Sequence, residues 1–199
     1  MPHERAESVR PRVVSRDLAV LSPWVTLETI SVAALRSDSS TDVYHALRQP
    51  DYVNVLVMTP AGGIVLVRQF RPVIGEWTLE LPGGLREADE SPDETVRREV
   101  REETGFVPTR VVPLVTGFAD VGRLTNRFFG FFALAERGSS AAERGITTIV
   151  ATGDELRAHA ASGRLASQNQ MGLLYLAAIH PQVREVCRDC GLPGVPWLG

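Results

Sequence analysis

Lysine is missing from the 199 residues, so all 21 basic side chains are arginine, and cysteine occurs only twice. The arginine-only set reads as a coding bias before it reads as a preference for forked phosphate contacts. Two cysteines cannot frame a disulfide scaffold. Cys187-Arg-Asp-Cys190 also lacks the second ligand pair that a closed zinc site needs, so both are read as incidental thiols. No apolar run nears the ~20 residues of a membrane helix; the longest, at 53–58 and 128–134, fall far short, and residues 1–12 are charged where an export signal would be apolar. The expected compartment is therefore the cytoplasm, without a membrane partner. Nor is there an excess of one charge. Twenty-one basic against 24 acidic residues leave a net charge of -3, which gives no field to hold duplex nucleic acid. What is present, 44% hydrophobic and 23% charged residues, is ordinary globular composition.

Residues 1–12 contain Pro and many charges and are expected to form a disordered tail. Residues 13–34 read as strand material, with period-two alternation from Trp24 to Val32, and 38–42 as a loop that closes a small N-terminal β-unit over 13–45. The remainder, 46–199, reads as the main domain. Two β-branched runs, 53–58 and 64–70, flank Pro60-Ala-Gly-Gly63 and predict a hairpin of central strands. Further strands are expected at 128–135 and 146–150. Thr152 with Glu155 predicts a capped helix, and Ser167 with Gln170 predicts another. Met171, Leu173, Leu174, Leu176 and Ile179 read as packing, and His159 and His180 as incidental.

Ser91-Pro-Asp-Glu94 combines an N-cap, Pro at the first helical position and Glu at N3, and the helix it starts runs to Thr104, where Gly105 ends it. Along that helix Glu99, Glu102 and Glu103 stand at i, i+3 and i+4, beside an apolar stripe of Val96 and Val100. Clustered carboxylates repel. Either interleaved Arg97, Arg98 and Arg101 make them a solvated face, or they are there for a hard divalent cation, Mg²⁺ or Mn²⁺, which completes its shell with water and phosphate.

The spacing decides between these. Gly84, five residues, Glu90, seven residues, then Arg98-Glu99-Val100-Arg101-Glu102-Glu103-Thr104-Gly105-Phe106 matches the box G-x5-E-x7-R-E-U-x-E-E-x-G-U, U apolar, at every specified position. Chance would give such a match on the order of once in a million from this composition. The sequence thus resembles the Nudix hydrolase superfamily over about residues 13–180. The resemblance implies an α/β/α sandwich with a mixed β-sheet, preceded here by the small β-unit. It also implies hydrolysis of a nucleoside diphosphate linked to another moiety X. Position by position, Glu99 and Glu103 would be the main metal ligands, Glu102 would ligate directly or through water, and Gly83 would offer its carbonyl. Glu90 and Arg98 would hold helix and loop together.

The flanks narrow X. Arg68-Gln-Phe-Arg71 before Glu80-Leu-Pro-Gly-Gly84 is similar to the ADP-ribose and nucleoside-diphosphate-sugar pyrophosphatase branch, which implies an N-terminal β-unit exchanged in a homodimer. Substrate contacts are then expected from Arg71, Arg68 and Glu80, and from Arg123 and Arg127 in the polar stretch 117–127, which also holds Asp120 and Asn126. Two features depart from that branch: Gly83 where Ala is common, which is closer to the triphosphate-cleaving branch, and the absence of a Pro-containing stretch at 117–127. The general base has two candidates, Glu136 and Glu143. The rivals are a triphosphate-cleaving enzyme and a Nudix-fold module that senses a nucleotide without turnover.

Overall fold

The computed structural model describes residues 11–33, 41–165 and 167–198. The chain divides into two compact units, residues 1–49 with 120–126, and 50–119 with 127–199. The predicted loop at 38–42 falls mostly outside the described residues, as does the tail up to residue 10. At residue 12 the chain is already tied down, because the Arg12 carbonyl accepts the Ala33 amide at 2.8 Å.

The first unit is an antiparallel sheet of β1 (Val13–Ser22), β2 (Val25–Ala33) and β3 (Thr41–Arg48), in that order. The single expected stretch over 13–34 is therefore a hairpin. Its turn is made at Ser22, whose Oγ accepts the amides of Trp24 and Val25. Strand β3 runs to residue 48, past the expected boundary at 45, and segment 120–126 joins the unit by way of Leu47. The Leu47 amide donates to the Arg123 carbonyl at 2.8 Å and the Thr125 amide to the Leu47 carbonyl at 3.1 Å. Glu28 is buried on β2 between Arg16 at 2.5 Å and Arg48 at 3.5 Å.

The second unit is built on β4 (Tyr52–Met58), which lies parallel to β8 (Phe128–Arg137) and antiparallel to β5 (Ile64–Arg71). With β6 (Glu76–Glu80) and β7 (Phe106–Gly117) the order is β6-β5-β4-β8-β7, and β9 (Thr147–Ala151) pairs with β5. Period-two alternation sorts the side chains of β4 to two faces. Val53, Val55 and Val57 pack on one face with Val96 and Val100 of α1 (Pro92–Thr104). Leu56 and Met58 pack on the other, against α2 (Gly153–Ala161), α3 (Gln168–Ile179) and α4 (Pro181–Asp189) through Leu156, Leu173, Val183 and Val186. This is a mixed sheet between two helical layers, as expected. No described helix is long and apolar enough to cross a membrane.

Local chemistry holds the helices in place. Ser91 and Glu94 form the expected capping box, and Gly105 closes α1 at φ 71°. Thr152 and Glu155 likewise cap α2. The expected box at Ser167 does not form: Ser167 makes no side-chain cap bond, and Gln170 turns into the protein.

Candidate active site

The loop from Leu81 to Leu85 lies along β4. The Val55 amide donates to the Pro82 carbonyl and the Val53 amide to the Gly84 carbonyl, both at 2.9 Å, so β4 engages the carbonyls on either side of Gly83. Gly83 has no room for a side chain, and one on Gly84 would displace the Glu99 carboxylate. A Cβ on Gly83 would stand 2.2 Å from the Val53 carbonyl oxygen, and one on Gly84 would stand 2.3 Å from a Glu99 carboxylate oxygen. The two glycines therefore let the loop pass between β4 and the carboxylates of α1.

Helix α1 presents its carboxylates in three environments. Glu103 is 6% exposed and accepts the Gly83 amide at 2.9 Å. Burial, with the neighbouring Glu99 charge adding to it, pushes this carboxyl up to about 8, against the Gly83 amide and Arg71, which pull it down. Burial also raises Glu99, although Arg98 donates to it at 2.7 Å and offsets part of the effect. Glu102 is half exposed and accepts from Arg98 at 3.1 Å.

Arg98 is the hub. Its Nε and Nη2 grip both oxygens of Glu90 at 2.8 and 2.9 Å, Nη1 reaches Glu99 and Glu102, and Nη2 also donates to the Leu85 carbonyl at 3.1 Å. The hydrogen bonds from Arg98, helped by Thr95, pull Glu90 down to about 2. Helix and loop are thus joined by one guanidinium satisfied from four sides.

The predicted substrate contacts part company. Arg71 forms a two-pronged pair with Glu80 at 2.7 and 2.6 Å. Burial alone would raise Glu80, but the bonds from Arg71 and Thr78 outweigh it and the carboxyl is lowered. The Arg71 charge is also felt at Glu103. Arg68 stacks over Trp77 at 4.4 Å and Arg127 over Phe118 at 4.2 Å. Arg123 belongs to the first unit. Both base candidates are exposed; the Glu143 backbone amide is tied to the Glu102 carbonyl at 2.8 Å, whereas Glu136 lies on β8 opposite Val107.

Two residues of the site escaped sequence reasoning. Gln170 is fully buried and clamps the Leu81 backbone, accepting its amide at 2.9 Å and donating to its carbonyl at 3.4 Å. Asp51 accepts the Arg127 amide at 2.7 Å and pairs with Arg86 at 3.3 Å. Capping-box spacing masked Gln170, and Asp51 carries no local signal.

Among the described residues no three carboxylate, imidazole or thiolate side chains form a ready-made metal cage. The donor chemistry nevertheless fits a hard divalent cation. Two adjacent carboxylates, Glu103 buried and Glu99 half-buried, have their charged forms disfavoured, and Gly83 and Gly84 approach them without side chains. Mg²⁺ takes few protein oxygens and keeps several waters.

Fold and loop-helix-loop together define a carboxylate site on an α/β/α sandwich. The NUDIX domain matches residues 48–158, more than half of the chain, and the chain belongs to the Nudix family. It is 35% identical over 79 residues to the ADP-ribose pyrophosphatase of Bacillus subtilis, covering 37% of this chain and 43% of that protein. To the ADP-sugar pyrophosphatase of Mus musculus it is 49% identical over 43 residues, 22% of this chain and 20% of that one. The matches thus span less than half the length of these relatives. The solved structure of an ADP compounds hydrolase superposes with a TM-score of 0.67 at 17% identity, over 91% of this chain and 96% of that one, which shows the shared fold.

Proposed function

We propose that the protein is a Mg²⁺-dependent pyrophosphohydrolase that cleaves the diphosphate of ADP-ribose or a nucleotide sugar. The observation that carries this reading is the buried Glu103 and its half-buried neighbour Glu99 set against the Gly83-Gly84 loop. In it Glu99 and Glu103 hold the cation, with Glu102 and the Gly83 carbonyl at its periphery. A bound divalent ion would neutralise the diphosphate and lower the pKa of a water. Arg98 and Glu90 keep the carboxylates in place. Arg71, oriented by Glu80, binds phosphate as a forked donor. Glu143, tethered beside Glu102, accepts the proton of the attacking water. The names of the relatives support the substrate class. Gly83 does not argue for triphosphates, since its contact with the Val53 carbonyl accounts for it by packing.

The protein is further proposed to act as a homodimer. The N-terminal sheet exposes Leu18, Val20 and Trp24, and Val20 is 77% exposed. Light scattering should give about twice the 21.7 kDa chain mass; one chain mass refutes this.

The test of the activity is a panel of ADP-ribose, nucleotide sugars and nucleoside triphosphates with and without Mg²⁺, products resolved by chromatography. Release of AMP from ADP-ribose, dependent on metal, is expected. Preferential cleavage of triphosphates would overturn the substrate class, and silence across the panel would favour the sensing module.

A further inference from the structure

At the far end of β4 from the glycine loop lies a cavity of about 960 Å³ that the proposed reaction does not use. Val53 pairs with the glycine loop, while Thr59, just beyond the end of β4, closes the turn to β5 by donating its amide to the Gly63 carbonyl at 2.8 Å. Six residue steps of extended chain separate the two, about 20 Å. The walls are the 59–63 turn, the start of α2, the face of α4 that carries Cys187, and the C-terminal segment 192–198, and they are mostly apolar.

The segment 192–198 is fastened as a fixed wall. Trp197 Nε1 donates to the Leu174 carbonyl at 3.0 Å, Arg157 to the Pro196 carbonyl at 3.1 Å, and the Leu192 amide to the Cys187 carbonyl at 3.0 Å. Gly153 has no room for a Cβ, which would stand 1.8 Å from the Pro196 carbonyl oxygen. A cavity with such a wall is preformed, and its volume lies within the range of small-molecule sites.

Helix α4 sorts its charges around this cavity. Its acids, Glu185 and Asp189, both pair with Arg110 at 3.1 Å. Arg184 and Arg188, one turn apart, line the cavity instead, and among the described residues neither makes a salt bridge. Arg157, the third arginine, is already neutralised by Asp154. Two like charges at i and i+4 repel; both are exposed at the rim of the apolar walls, and Arg184 is oriented there by its Nε bond to the Ala178 carbonyl at 2.9 Å. We propose that this cavity is a second ligand site, which takes a soluble amphipathic anion: an aliphatic body inside, and a carboxylate or phosphate head on Arg184 and Arg188.

Isothermal titration of the full chain with decanoate and with octyl phosphate, both below their micellar concentrations, tests this. One saturable site per chain is expected, unchanged by saturating ADP-ribose or by Glu103→Gln. Arg184→Glu with Arg188→Glu should weaken binding at least tenfold, and Ala61→Trp, at the lip of the cavity, should abolish it. Inorganic phosphate and decanol, each offering half of the ligand, should bind at least tenfold more weakly. Equal binding by the double variant, or displacement by ADP-ribose, overturns the proposal. So does retention on phosphatidylglycerol vesicles without binding of the monomeric probes, which would mark a membrane surface instead. Circular dichroism of each variant shows whether lost binding reflects lost fold.

Discussion

Glu103 is buried where its charge is disfavoured, and replacing it separates function from stability. Glu103→Gln keeps the shape and an acceptor for the Gly83 amide, but removes the negative charge that the site would offer a cation. The expected outcome is a fall in turnover by orders of magnitude, with the melting temperature of the metal-free protein unchanged or raised at pH 8. Near-normal turnover would sink the metal assignment. Arg71 calls for a different design, because Arg71→Ala also strips Glu80 of two short hydrogen bonds and leaves a buried charge unpaired. The double variant Arg71→Ala with Glu80→Gln avoids that cost. It should fold normally and raise KM for ADP-ribose at least tenfold, read from initial rates. An unchanged KM would remove Arg71 from the phosphate site.

Whole elements show why some of the fold could be read from sequence and some could not. Helix α1 and the β4–β5 hairpin were legible because their signals are local: a cap, a glycine stop, alternating valines. Strand β7 was not, because Pro108 and Pro113 interrupt its pattern; the ladder absorbs them by register shifts at 108–110 and 113–115. Gln170 was misread for the opposite reason. Its spacing from Ser167 satisfies a local rule, but a partner 89 residues away, the Leu81 backbone, takes the amide. That clamp ties α3 to the glycine loop. Gln170→Ala leaves the Leu81 amide unsatisfied and should cost roughly 1–3 kcal/mol. If the clamp also positions the loop, the Kd for Mn²⁺, followed by electron paramagnetic resonance, should rise severalfold. Ser91→Ala, a cap deletion worth about 1 kcal/mol, is the control and should leave that Kd unchanged. Equal effects of the two variants would reduce Gln170 to a packing role.

At the scale of the molecule the two most displaced carboxyls pull stability in opposite directions with pH. Glu90 is lowered to about 2, so its contribution is complete above its ordinary 4.5 and is lost as pH falls through about 2. Glu103 is raised to about 8, so its contribution is complete below 4.5 and is lost as pH rises through about 8. Metal-free protein should therefore be most stable near pH 4.5 to 5 so far as these two groups act, and should weaken by a few kcal/mol toward pH 8. A cation on Glu99 and Glu103 competes with that proton, so its affinity rises over the same interval. Ligand bound only to the folded state stabilises it by mass action. Thermal melts at pH 5 and pH 8, each with and without 10 mM Mg²⁺, test both halves. The increase produced by Mg²⁺ should be several degrees larger at pH 8, and Glu103→Gln should remove the difference. An equal increase at both pH values, or one that survives in Glu103→Gln, would mean that the cation binds away from α1.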